Sequence, residues 1–112
     1  MANRADLNRE VLLAFWKVHI LHHAGEAPIH GQWVLQELRR HGYDLSPGTL
    51  YPLLRRMEKL GWLSGKAAAD GGSRARRDYR LTRNGRKILE VIKAQISELH
   101  EEVVLEREES GK

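Results

Sequence analysis

Apolar residues recur at three- and four-residue spacing in four stretches of the chain. Over residues 7–23, Leu7, Val11, Ala14, Phe15, Val18, Leu21 and His22 line one stripe, which predicts a helix ended by Gly25 and Pro28. Leu12, Leu13, Trp16 and Ile20 add apolar surface outside that stripe. A face this wide suits a helix that packs against two neighbours or against a second subunit. Residues 30–41 predict a second helix with Trp33, Val34, Leu35 and Leu38 on its buried side and Gly42 as its stop. Ser46 and Pro47 then open a third, Ser as a favoured cap and Pro at the first position, where no amide bond is lost. It runs to about Lys59, with Gly61 behind it.

Residues 62–66 and 77–81 alternate weakly and read as two short strands. The segment between them is rich in Gly, Ala, Ser and Arg, so the pair predicts a hairpin with a long basic loop. Thr82 can cap a final helix over 83–108, leaving 109–112 frayed. Leu89, Ile92, Ile96, Leu99 and Val103 repeat along it at a 3-4-3-4 spacing, the seam of a coiled coil about two heptads long. The expected fold is mainly α with a small β-hairpin. Residues 1–81 would form one unit, and 82–112 a long C-terminal helix that pairs with a second copy.

Composition narrows the function classes. The chain has 112 residues, 41% of them hydrophobic, and no cysteine, which excludes disulfides, thiolate metal sites and Cys nucleophiles. It contains no apolar run long enough for a membrane span and no secretory h-region, so a cytoplasmic location is expected. A Gly-rich phosphate loop, a GxSxG elbow and a matched carboxylate pair are all missing, so neither an enzyme nor a cofactor is expected. The net charge of +4 is unevenly spread: residues 55–87 carry +8, whereas residues 91–112 carry −3. A basic middle beside an acidic tail points to a polyanion-binding surface away from the last helix.

The third helix carries that surface. At about 100° per residue, Leu50, Leu53, Leu54 and Met57 form its buried stripe. Gly48, Pro52, Arg55 and Lys59 face the other way, with Tyr51 and Arg56 on the flanks. A cationic ridge of this kind suits the DNA major groove, where Arg bonds a guanine edge bidentately. Two runs, SPGTLYPLLRRMEKLGWL at 46–63 and RRDYRLTRNGRKILE at 76–90, together with PIHG at 28–31, resemble the PadR family of bacterial transcription regulators over roughly residues 10–100. Gln32 stands where the family more often has an aromatic, and the wing ends RRDY rather than in a Lys-Tyr-Tyr-like run.

The resemblance implies a winged helix-turn-helix followed by a dimerisation helix. Its implied role is sequence-specific binding of double-stranded DNA by a homodimer, as an effector-responsive repressor on a pseudo-palindromic operator. The candidate DNA-binding residues are Ser46, Gly48, Thr49, Tyr51, Arg55 and Lys59 on the third helix, and Lys66, Arg74, Arg76 and Arg77 on the wing. The candidate dimer interface is Leu12, Phe15, Trp16, Leu89, Ile92, Ile96, Leu99 and Val103. Alternatives are a winged-helix module for protein–protein contact, or DNA binding without sequence preference. The resemblance also allows a small-molecule effector near Trp16, with core packing as the competing role of that side chain. His19 and His23, four residues apart, are weak candidates for a metal effector site, because no acid or cysteine accompanies them at a signature spacing.

Overall fold

The computed structural model describes residues 7–67 and 76–106. Helix α1 spans Arg9–Glu26 and starts at Asn8, whose side chain accepts the Val11 amide at 3.2 Å. Strand β1, Ile29–His30, precedes α2, Gly31–Arg40, and α3 covers Pro47–Lys59. Strands β2, Leu63–Ala67, and β3, Arg77–Leu81, form the hairpin, and α4 runs over Arg83–Leu99. A π-helical stretch, His100–Val104, continues α4.

The sheet has the order β1-β3-β2, with both pairings antiparallel. Ile29 and Gly65 both stand opposite Tyr79, so β3 is the central strand. The hairpin is therefore a three-stranded sheet. Two-residue β1 shows no alternation in the sequence; it is held by its pairing with β3 and by Ile29, which is buried in the core.

The core joins all the elements. Trp16, Ile20, Leu21 and Ala24 of α1 meet Val34, Leu35 and Leu38 of α2, the Leu50/Leu53/Leu54/Met57 stripe of α3, and Leu63, Tyr79 and Leu89. Burying a Leu or Ile side chain fully is worth about 1.5–3 kcal/mol, so these residues fix how α3 is presented. Gly42 (φ 93°) and Gly61 (φ 83°) take left-handed conformations just beyond α2 and α3, as the stop signals require.

Several expectations are corrected. Helix α1 passes through Gly25 and ends at Glu26; the residue is glycine because a side chain at this position would meet Leu81 at 3.2 Å and Leu89 at 3.8 Å. The glycine marks a close approach of α1 to β3 and α4. Trp33 lies on the outside of α2, 41% exposed, where the pattern put it inside. Trp16 and Leu89, expected at a subunit interface, lie in the subunit's own core at 3% and 4% exposure. Helix α4 gives up its α-helical bonding after Leu99 rather than near 108. Glu98, Glu101 and Glu102 crowd the negative end of the helix dipole, no basic residue offsets it in the last turn, and the core does not reach this far. Residues 107 and 108 of the expected helix, and 109–112, expected to fray, lie outside the described residues.

Candidate nucleic-acid interface

Helix α3 displays the face that its sequence pattern requires. Leu50, Leu53, Leu54 and Met57 are buried, while Gly48, Tyr51, Pro52, Arg55, Arg56 and Lys59 are exposed. Pro52, Arg55, Arg56, Lys59 and Leu60 line a groove along this face. Pro52 has no amide to donate to the Gly48 carbonyl one turn back, which leaves that acceptor at the helix surface. None of Arg55, Arg56 and Lys59 forms an ion pair with an acid among the described residues.

The first turn of α3 is tied to α1. Ser46 and Pro47 open the helix, but the Ser46 hydroxyl makes no capping bond; it donates to Thr49 Oγ1 at 3.4 Å. Arg9 Nη2 donates to the same Thr49 oxygen at 3.0 Å. Arg9 thus adds a cation beside the helix N-terminus, where backbone amides already favour an anion. No local pattern points to Arg9, because its partner lies 40 residues away.

Tyr51 leans on the start of α2. A side chain at Gly31 would stand 2.1 Å from Tyr51 Cε1, so the ring needs a glycine beneath it. His30 caps α2 by accepting the Trp33 amide at 3.4 Å. A concavity bordered by Gln32, Tyr51, Arg55, Arg76, Arg77 and Tyr79 runs between α2, α3 and the sheet. Helix and wing cations therefore share one continuous surface.

Glu58, the sole acid in α3, fastens the wing to the helix. Its Oε2 accepts from Arg77 Nη2 at 2.8 Å and from the Gly65 amide at 3.1 Å, and Arg77 Nη2 also donates to the Gly65 carbonyl at 3.2 Å. The bond from Arg77 holds the Glu58 carboxyl below the usual carboxylate range, against the opposing pull of burial, and Glu58 in turn raises Arg77. Burial, with the nearby Glu58 charge, pushes the Tyr79 hydroxyl up. Of the wing candidates, Lys66 is exposed, Arg76 pairs with Asp78 at 3.2 Å across an open surface, and Arg77 is committed to Glu58. Arg74 lies outside the described residues. Sequence reading missed Glu58 because its partner is 19 residues downstream, across the hairpin.

The candidate dimer residues divide between core and surface. Leu12 and Ile92 are half-buried against the core, whereas Phe15 is 46% exposed, Ile96 47%, Leu99 54% and Val103 64%. Every described residue from Lys93 onward is exposed, so the distal half of α4 stands clear of its own subunit and offers an uncovered apolar edge. Of the effector candidates, His19 and His23 are half-buried, and burial together with the neighbouring His41, His23 and His22 lowers the His19 pKa.

The chain has clear relatives. The family model for the transcriptional regulator PadR-like family matches residues 20–91. The chain is 50% identical over 97 residues to the transcriptional regulator Rv3488 of Mycobacterium tuberculosis, covering 86% of this chain and 89% of that one. Among solved structures, a PadR family transcriptional regulator from Eggerthella lenta superposes with a TM-score of 0.70 at 31% identity, covering 88% of this chain and 92% of the other. A PadR-like transcriptional regulator from Bacillus cereus gives a TM-score of 0.74 at 27% identity, covering 88% and 99%.

Proposed function

Starting from the fact that the chain belongs to the PadR-like family of transcriptional regulators, we propose that it is a sequence-specific DNA-binding repressor acting as a homodimer on a pseudo-palindromic operator. One observation carries the reading. The exposed face of α3 presents Arg55, Arg56 and Lys59, none of them paired with an acid among the described residues, while Glu58, the helix's one acid, is turned to the wing and paired with Arg77. Such a ridge attracts phosphates without sequence preference and also carries the Arg forks that read guanine edges.

Dimerisation supplies the second recognition helix. The edge of Ile96, Leu99 and Val103 is apolar, exposed and borne on a helix that leaves its own core. Pairing it with the same edge of a second copy, joined by Phe15 of α1, would bury this surface and set two α3 helices about one DNA turn, ~34 Å, apart. An effector lodged between the paired helices would change that spacing and with it operator affinity. No helix among the described residues is long and apolar enough to cross a membrane, and a regulator of this kind would act in the cytoplasm.

Selection of bound duplexes from a random library tests the reading. A two-fold symmetric consensus, bound far more tightly than its scrambled version at the same salt, is the expected result. Recovery of unselective duplexes, or a monomeric chain at micromolar concentration by sedimentation, would overturn it.

A further inference from the structure

Where α1 meets α2, three imidazoles and a carboxylate converge. His19 and His23 lie one turn apart on α1, and His41 follows the last residue of α2. One ring nitrogen from each of the three histidines lies within 4.8 Å of the others, and all three residues are half-buried. The His19 ring centroid is 4.8 Å from that of His41 and 6.3 Å from that of His23. Glu37 stands beside two of these rings: its Oε2 is 3.0 Å from His41 Nε2 and 3.4 Å from His23 Nε2. Arg40 holds this carboxylate with two bonds of 2.7 and 3.1 Å.

We propose that His19, His23 and His41, with Glu37 as the fourth donor, form a binding site for a divalent transition-metal ion of the zinc type. The donor set decides the class of ion. Three imidazoles and one carboxylate suit zinc, cobalt, nickel or copper, whereas calcium and magnesium require mostly oxygen ligands. The spacing decides whether an ion fits. Donors about 2.0–2.1 Å from a tetrahedral zinc stand about 3.3 Å from one another, and Glu37 already keeps such distances to His41 and His23. The three histidine nitrogens, now within 4.8 Å of one another, must draw closer to share one ion. Burial favours the same group over its neighbour: His22, His23 and Glu26 also lie close together, but His22 and Glu26 are exposed and all three come from a single helix. The convergent group instead bridges two helices, and His41 lies five residues before the Ser46 cap of α3. An ion there would cross-link α1 to the end of α2, just ahead of the recognition helix.

The test uses the full chain, free of any affinity tag, and does not depend on DNA. Calorimetric titration with Zn²⁺ is expected to give one ion per chain, and Co²⁺ the visible absorption of a tetrahedral nitrogen-and-oxygen site. H41Q, just beyond the last residue of α2, should weaken zinc binding by more than about tenfold, since even outer-shell partners change metal affinity 10- to 100-fold. H19Q should do the same, and H22Q should leave binding unchanged. Because the Trp33 ring lies 5.2 Å from that of His23, Cu²⁺ at the site should quench its emission, and W33F should remove that part of the signal. No zinc uptake by the wild type, or equal uptake by H41Q, would overturn the site. Loss in H22Q with retention in H41Q would move it to the exposed group on α1 and equally refute the proposal.

Discussion

If Glu58 is the latch that fixes the wing against α3, then neutralising it should weaken specific DNA binding even though it removes a negative charge from beside the cationic ridge. The carboxylate accepts one bond from Arg77 at 2.8 Å and one from the Gly65 amide at 3.1 Å. Charge-assisted hydrogen bonds are worth about 1.5–3 kcal/mol when well buried, whereas exposed ion pairs contribute about 0.2–1 kcal/mol. The two side chains are 27% and 45% exposed, so E58Q should cost about 1 kcal/mol. In a domain of this size that is a fall in melting temperature of about 4–8 °C. A double-mutant cycle of E58Q and R77Q isolates the pair, and its coupling should account for most of the loss in either single variant. Because the pairing depresses the Glu58 pKa, its stabilisation is complete above the unfolded-state value of about 4.3 and fades as pH falls through the lower folded-state value. The melting gap between wild type and E58Q should therefore be constant from pH 7 to about pH 5.5 and close in more acidic buffer. In an anisotropy assay E58Q and R77Q should both lose affinity for the selected duplex several-fold. Two outcomes would refute the latch: additive E58Q and R77Q effects on stability, or uniformly tighter binding of E58Q to every duplex, as expected if Glu58 were only a misplaced repulsive charge.

Other consequences follow from single contacts. Gly31→Ala should cost about 1–3 kcal/mol, because its new carbon would stand 2.1 Å from Tyr51 Cε1; the same change in a Tyr51→Ala background should cost much less, as urea denaturation of the four chains would show. Leu89→Ala should destabilise the fold by about 2–5 kcal/mol, since Leu89 is buried in the subunit, whereas Leu99→Asp should leave the far-ultraviolet spectrum of the globular part intact and give monomers in sedimentation velocity. Lys66→Ala should weaken selected and scrambled duplexes alike and lower the salt slope by about one unit; a loss confined to the selected duplex would instead make Lys66 a base reader.

The third helix was legible almost to the residue, because its cap, its leucine stripe and its glycine stop are all local signals. Helix α1 was less so. It is apolar nearly all round, so periodicity could not decide which of two adjacent aromatics turns inward; the fold buries Trp16 and leaves Phe15 outside. The end of α4 escaped because a heptad pattern counts apolar positions and ignores the acids that oppose the helix dipole. The Glu58–Arg77 latch, the Arg9–Thr49 bond and the arrival of His41 beside His19 are long-range pairings. Each depends on where two elements cross, and residue type alone does not reveal it. The charge excess over residues 55–87 counted Arg77 among the free cations, whereas the fold pairs it with Glu58.

The decisive measurement is the ratio of affinities for selected and scrambled duplexes, at one salt concentration, for the wild-type chain and for Arg55→Ala. With Arg55 on the outward face of α3 reading a base edge, the wild type should prefer the selected duplex by about 10³-fold or more. The substitution should cut that preference by an amount equivalent to about 1–3 kcal/mol while changing scrambled binding little. An equal loss on both duplexes would reduce Arg55 to a phosphate contact and contradict the assignment of α3 as the helix that reads sequence.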